Sequence, residues 1–582
     1  MSKIQIMSEN LANKIAAGEV VEKCASVVKE LVENSIDAGS TDIKVELIDS
    51  GTKSIKVIDD GSGMDEEDAL LCFSTHATSK LLKEEDLYNI NTLGFRGEAL
   101  PSIASVSIVT LKTSNGITGI KYKLEGGKVV LKEKSDLRKG TSIEVRDLFY
   151  NTPARLKYLN SLNSELANVI SVINHAALSH TDIRFTLVNN DKVLLKTDGS
   201  NNLLKVINEI YGKTVAKKMM SVNGENDDYE FNGYMSLPDE NKSNRNHMIT
   251  IVNKRVVRNS ELNKTINDAY HKYKPDNRYP IVVLNINCDP SLIDVNIHPS
   301  KLDIKFSNFE DLKELISKEI EKLLDNHFLG VDASTKNVNV SNIVTKISVP
   351  EIIEHKEVKE LIMDFSTDEI SIKEEEETYN EEIKEDTKPF PKLYVIGQVL
   401  GTYIVCHNEK GLYLLDQHAA AERVNYEKFK EAFSHPTNDK ITMLLPLNLE
   451  YSKDEFLIIK NNIEFIRSIG IDIDEFGDSS FVIRAHPIWF KEGYEEYFIK
   501  NILEKIINMD KHFDLERFND SLSASLACHS SIQANTPLSI EEMEKIIDDL
   551  KECKNPYNCA HGRPTIIHYP IYELEKLFKR VM

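Results

Sequence analysis

Residues 351–388 carry 15 Asp and Glu against 5 Lys, contain neither Gly nor Pro, and include the unbroken run Glu374 to Glu377. A stretch of this composition buries too little apolar surface to offset the entropy lost on ordering it. Residues 331–390 therefore read as an acidic flexible linker. The other reading is a solvated acidic helix, which Ile352, Ile353, Val358 and Leu361 could support over a short length. As a coil of about 60 residues the linker would span on the order of 45 Å, and more with self-repulsion. The chain thus divides into two bodies, 1–330 and 391–582. Its 582 residues leave room for about three or four domains, and no internal repeat of 20–50 residues is visible.

The remaining composition narrows the class. The formal net charge is −22, from 93 acidic against 71 basic residues. That argues against a basic nucleic-acid coat protein but leaves room for a local basic face. Hydrophobic residues make up 41% and charged residues 28%, ordinary values for globular domains with real cores. No apolar run approaches the roughly 18 residues that span a bilayer, and the first twenty residues lack the apolar core of a signal peptide. Seven scattered cysteines fit a reducing compartment better than a disulfide framework. A cytoplasmic location is expected.

Periodicity predicts mixed α/β bodies. Val27, Val28, Leu31 and Val32 recur at helical spacing, and Gly39 stops that helix. Alternating patterns in DIKVELI, SIKVID, SVSIVTLKT and TSIEVRDLF predict strands. A second unit begins after about 205, with strands in MITIVNKRVV and YPIVVLNINCD and a closing helix in FEDLKELISKEIEKLL. In the second body, GTYIVCHNEKGLYLLDQ reads as a hairpin feeding the helix AAAERVNYEKFKEAF.

Gly212-Lys213-Thr214 resembles the end of a phosphate loop, but Ile207 stands where the first glycine belongs. A different constellation is better placed. Glu33 and Asn34 sit within a helix, Asp59-Asp60-Gly61-Ser62-Gly63 ends a strand, Gly94 to Ala99 precedes an apolar helix, and Gly140-Thr141 opens another strand. Glu33 could serve as general base toward a water, and Asn34 could offer Mg²⁺ an oxygen without adding charge beside phosphates. Asp59 could accept from an adenine amine. Gly61, Gly63, Gly94 and Gly97 let backbone N–H groups approach phosphate, and the helix beyond Gly97 points its positive end there.

ELVENSIDAGST, DDGSGM, STHATSK, LGFRGEALPSIASV and LFYNTPARLKYL resemble the motifs of the MutL mismatch-repair family, within the ATPase class of gyrase, Hsp90-type chaperones and histidine kinases (the GHKL class). The resemblance implies a GHKL-type α/β sandwich ATPase over 1–205 and an α/β, S5-like transducer domain over 206–330. It makes Glu33 the general base, Asn34 the Mg²⁺ ligand and Asp59 the adenine reader. Gly61, Gly63 and Thr141 would line the ATP site, Thr78, Ser79 and Lys80 would belong to its lid, and Gly94, Phe95, Arg96, Gly97, Glu98 and Ala99 would wrap the phosphates. VNIHPSKLDIKF resembles the second-domain signature, which implies that Lys301, beside His298-Pro299, reaches the terminal phosphate.

The second body carries Asp416-Gln417-His418, then Glu422 and Glu427, and later Cys528-His529 and Cys559-Ala560-His561. His418 and Glu422 are four apart on one helix face, and Asp416 precedes that helix. Carboxylate, imidazole and thiolate together form a mixed donor set suited to Zn²⁺, with Mn²⁺ or Mg²⁺ preferring the carboxylates. These segments resemble the endonuclease motifs of those MutL proteins that nick DNA. The resemblance implies metal ligands at Asp416, His418, Glu422, Cys528, Cys559 and His561, with Asp416 and Glu422 catalytic, within an α/β dimerisation and endonuclease domain over 391–582. His529 stands where the family has Arg, and Ala560 where it usually has Pro. Glu427 is either part of the motif or an ion-pair partner of Arg423. Ile441 to Pro446 aligns with a sliding-clamp peptide, yet Ile441 replaces its opening Gln, and a core strand is the competing reading.

The resemblance therefore implies a homodimeric, ATP-hydrolysing clamp that couples mismatch recognition by MutS to metal-dependent nicking of DNA. The rival is a non-nucleolytic matchmaker that recruits other repair factors. Asn253, Lys254 and Arg255 with Arg258 form a candidate DNA-contact patch; the alternative is a solvated strand edge.

Overall fold

The computed structural model describes residues 21–80, 92–94, 97–274, 278–294, 304–329, 390–434, 439–477, 479–490, 492–508, 515–531 and 536–580. Phe95, Arg96, Lys301 and the linker residues 331–389 lie outside them. In the helix bearing Cys528 and His529 the backbone is described but those two side chains are not.

Helix α1 (Cys24–Asp37) forms where the sequence places its apolar stripe. Val27, Val28, Leu31 and Val32 are all at most 1% exposed. Gly39 takes φ +72 just beyond the helix end, the left-handed conformation that glycine adopts without a Cβ clash. Strands β1 (Asp42–Ile48), β2 (Ser54–Asp59), β3 (Ile108–Ser114), β4 (Gly119–Glu125), β5 (Lys128–Lys134), β6 (Gly140–Arg146), β7 (Arg184–Asn189) and β8 (Lys192–Lys196) form one sheet in the order β5-β4-β3-β6-β2-β1-β7-β8. Only the β1/β7 pair is parallel. Alternation along β1 puts Ile43, Val45 and Leu47 inward, in one core with the helical layer of α1, α2 (Ala99–Ser105) and α3 (Leu162–Ser179). Each such side chain contributes roughly 1.5–3 kcal/mol on burial. The expected α/β sandwich is what forms.

A second sheet contains β9 (Met219–Glu225), β10 (Tyr229–Ser236), β11 (Met248–Val252), β12 (Arg255–Val257) and β13 (Val282–Cys288), in the order β12-β11-β13-β10-β9. Every residue of β11 is buried, as expected of a strand covered on both faces. Helix α5 (Phe309–Leu329) lies against this unit through Leu312, Ile316, Ile320 and Leu324, each fully buried and four residues apart. Between the two sheets, α4 (Leu203–Lys217) contains the Gly212-Lys213-Thr214 segment. Gly212 is a break inside a helix, at φ 86 and ψ 168, and no phosphate loop is formed there.

In the second body, β14 (Tyr394–Val399), β15 (Tyr403–Asn408), β16 (Gly411–Asp416) and β20 (Ile566–Pro570) make a four-stranded antiparallel sheet. Helix α6 (Gln417–Ser434) follows β16 without a loop and packs on α7 (Leu515–Ser530). A smaller sheet pairs β17 (Lys440–Glu450), β19 (Ser480–Pro487) and β18 (Asp472–Phe476), with β19 central. The Ile441–Pro446 stretch is strand, but it is not core. The β17/β19 register shifts between Thr442 and Leu447, and Leu444 and Leu445 project at 97% and 79% exposure. Among the described residues no helix is long and apolar enough to cross a membrane.

Candidate functional site

Asp59, the last residue of β2, is a buried polar group anchored by three hydrogen bonds. Its Oδ1 accepts from the N–H groups of Gly61 at 3.0 Å and Thr141 at 3.1 Å, and its Oδ2 from Ser35 Oγ at 2.9 Å. Burial pushes the carboxyl up from its ordinary value, and the bonds from Gly61, Ser35 and Thr141 oppose that shift. The strands place these donors: β6 lies beside β2 and Gly140-Thr141 opens it, while Ser35 sits on α1 across the sheet. Gly63 shows why a glycine is needed here. At φ +66, a Cβ would stand 1.9 Å from the Ser114 carbonyl oxygen.

Asn34 and Asp37 face a single point one helical turn apart on α1. Lys80 Nζ donates to Asn34 Oδ1 at 3.0 Å and to Asp37 Oδ2 at 2.6 Å. Asp37 also accepts from Leu93 N–H at 2.8 Å and Gly94 N–H at 3.0 Å. Lys80, the helix and the start of the glycine loop are therefore tied together. Gly97, at φ +64, sits against the Ala77 backbone, where a Cβ would meet the Ala77 carbonyl oxygen at 2.4 Å. Its carbonyl accepts from His76 N–H at 3.1 Å, which joins the Thr78–Lys80 segment to the loop ending at Glu98 and Ala99. Glu33 lies on the same helix with Lys29 Nζ 3.7 Å away. The neutral Asn34 amide oxygen, which Lys80 Nζ occupies here, is a hard oxygen donor of the type Mg²⁺ takes once that ammonium moves away, and the Asp59 carboxylate, backed by three donors, can accept from an amine. Asp37 was not singled out by the sequence. Its signal would have been the three-residue spacing from Asn34.

The candidate DNA patch needs correction. Asn253 and Lys254 form a tight turn at φ 46 and 66, and Lys254 and Arg258 are exposed. Arg255 is not: it is 8% exposed and donates to the carbonyl of Thr92 in the first unit. A buried guanidinium is unavailable to a DNA backbone.

In the second body, Glu422, Cys559 and His561 converge. Their donor atoms all lie within 4.8 Å of one another. His561 Nδ1 is 2.7 Å from Glu422 Oε1, and the His561 N–H donates to Cys559 Sγ at 3.3 Å. Glu422 and Cys559 are 2% and 3% exposed, whereas the His561 side chain is about half exposed. Burial, with Glu422 alongside, raises the Cys559 thiol. A buried carboxylate and thiol with a half-exposed imidazole, from segments 137 residues apart, form a donor set that fits zinc. Asp416 and His418 stand outside this group. The Asp416 carboxylate caps α6, with Oδ1 accepting from His418 N–H at 2.9 Å and Ala419 N–H at 3.0 Å. Glu427 takes the second of its two readings: it pairs with Arg423.

Three family descriptions match the chain in series. "Histidine kinase-, DNA gyrase B-, and HSP90-like ATPase" covers residues 22–148, "DNA mismatch repair protein, C-terminal domain" covers 207–325, and "MutL C terminal dimerisation domain" covers 396–538. Among full-length relatives, a protein of Listeria innocua named "DNA mismatch repair protein MutL" is 42% identical over 597 residues, spanning 99% of each chain. Proteins of the same name from a Geobacillus strain and from Anoxybacillus flavithermus are 42% and 43% identical, each covering 100% of both chains.

Proposed function

The chain belongs to the MutL family of DNA mismatch repair proteins, and on that premise we propose that it is an ATP-gated homodimer that nicks DNA with its own C-terminal metal centre. The family match gives it a GHKL-type ATPase domain and a C-terminal dimerisation domain. In the proposed reading the ATPase spans 1–205, the transducer 206–330, the linker 331–390 and the nuclease 391–582. Glu33 takes a proton from water, Asn34 holds Mg²⁺, and Asp59 reads adenine, with Lys301 approaching from the transducer.

The observation that carries nicking is the convergence of Glu422, Cys559 and His561. Zn²⁺ or Mn²⁺ held there, with Asp416, His418 and Cys528 completing the set, would supply Lewis acidity toward a phosphodiester. The chain itself keeps Glu422 and Cys559 dry and presents His561 at the surface, where a DNA strand could lie. MutS would deliver the mismatch signal. The projecting Leu444 and Leu445 favour a sliding-clamp contact at Ile441–Pro446, since exposed adjacent leucines offer apolar surface that a partner can bury.

Supercoiled plasmid incubated with Mn²⁺, Mg²⁺ or no added metal tests this. Wild type should nick with Mn²⁺. Glu422→Gln should lose at least about a hundredfold of that rate while ATP hydrolysis stays near wild type, and Glu33→Ala should abolish hydrolysis while retaining ATP binding. Undiminished nicking by Glu422→Gln would favour the matchmaker that recruits other nucleases.

A further inference from the structure

Arg255 enters the nucleotide region from a different sheet. It begins β12 of the second unit, is 8% exposed, and its guanidinium donates to the Thr92 carbonyl. The backbone that follows Thr92 is held on its other side by α1. Thr92 Oγ1 donates to the Gly94 carbonyl at 2.9 Å, and the N–H groups of Leu93 and Gly94 donate to the two oxygens of Asp37. Asp37 in turn binds Lys80, which reaches Asn34. Residues 92–94 are thereby strung between a helix of the first unit and a strand of the second. Burial disfavours the guanidinium charge, and the nearby carboxylates of Glu33 and Asp37 offset part of that cost.

We propose that Arg255 is a positioning residue for ATP turnover, fixing the entry of the glycine loop by holding the Thr92 carbonyl and so linking the second unit to the phosphate end of the site. The inference rests on the ATP site described under the proposed function. It follows from three features together. A buried arginine has no solvent role, its partner is a main-chain carbonyl rather than a carboxylate, and that carbonyl directly precedes the two N–H groups that Asp37 binds at the entry of the glycine loop. Loosening Thr92 would leave the adenine end around Asp59 intact and disturb the region of the terminal phosphate. The loss should therefore fall on ATP more than on ADP.

The test uses the full chain with Arg255→Met, which keeps much of the length and removes the donors and the charge, and Arg255→Lys, which restores one donor and the charge. Arg255→Met should lower kcat at least tenfold and weaken a non-hydrolysable ATP analogue by a similar factor. Its ADP affinity should stay within about threefold, and DNA binding without nucleotide should be unchanged. Arg255→Lys should recover an intermediate kcat. If Arg255→Met fails to fold, Arg255→Gln replaces it with the same expectations. A folded neutral variant with wild-type kcat, or one that loses ADP and ATP affinity equally, would overturn the proposal, as would a loss of nucleotide-free DNA binding. Glu33→Ala run in parallel separates the two levels. If it hydrolyses ATP normally, the site reading fails; if it is inactive while Arg255→Met is normal, only the positioning role fails.

Discussion

Glu427 lies one helical turn beyond Arg423, with its Oε1 2.8 Å from the guanidinium Nε. The same carboxylate accepts from the N–H groups of Lys554 at 2.7 Å and Asn555 at 3.1 Å, so it fastens α6 to the segment that leads to Cys559. Burial pushes its carboxyl up, but the two backbone donors and Arg423 outweigh that and hold it below the ordinary range. Glu427 is thus a strut that braces the segment leading to Cys559. Glu427→Gln should lower stability by about 1–2 kcal/mol, the worth of charge-assisted bonds weakened to neutral ones. Bound zinc per chain should remain near wild type, whereas Glu422→Gln should lose it. Urea unfolding alongside elemental analysis checks both. An equal loss of zinc in the two variants would make Glu427 a ligand.

Asp416 has a structural duty that separates from the proposed catalytic one. Its carboxylate caps α6 through two backbone N–H groups, and Asn caps helices about as well as Asp. Asp416→Asn should therefore melt like wild type yet nick far more slowly. Asp416→Ala should lose about 1 kcal/mol in addition. Melting curves and plasmid nicking on one preparation decide this, and fast nicking by the stable Asp416→Asn protein would limit Asp416 to capping.

Dimerisation should use the apolar surface of the four-stranded sheet and of the helix Ile571–Leu577 that follows β20. Tyr394, Ile396, Leu400, Tyr572, Leu577 and Phe578 are between 51% and 78% exposed, and large exposed apolar groups are what an interface buries. Phe578→Asp replaces a side chain whose burial contributes roughly 2–3 kcal/mol, so the dimer dissociation constant should rise about a hundredfold. Light scattering across a dilution series reads this. An unchanged dimer would move the interface elsewhere.

What could be read from the chain was what local periodicity or local chemistry determines. The stripe Val27, Val28, Leu31 and Val32 fixes the face of α1, and the alternation of β1 and β2 fixes which residues meet it. For Asp37 the only local signal was its three-residue spacing from Asn34, because its partners Leu93 and Gly94 lie 56 and 57 residues away. Arg255 was read as part of a basic patch because a tight turn carrying adjacent Lys and Arg resembles solvated surface; its burial arises only where two units meet. The stretch Ile441–Pro446 has strand composition, but a register shift against β19 turns its leucines outward. Glu422, Cys559 and His561 became a candidate group through family resemblance, since residues 137 positions apart have no periodicity to connect them.

His175 on α3 gives the first body a pH dependence of known sign. Burial pushes its imidazole down to about 4, and the charges of Arg258 and His247 add to the effect. The native state therefore holds His175 neutral, while the unfolded chain binds a proton near the ordinary value of about 6.5. Stability from this group is complete above about pH 6.5 and is lost as pH falls toward 4, at up to about 1.4 kcal/mol per pH unit. His180, also depressed mainly by burial, contributes in the same direction, so the wild-type curve alone does not isolate His175. The difference between wild type and His175→Gln does. At pH 7.5 the variant should be no more stable than wild type, and by pH 5 the gap should close or reverse because the variant has no proton to take up. Urea midpoints at several pH values measure that difference, and a gap independent of pH would show that His175 titrates alike in both states.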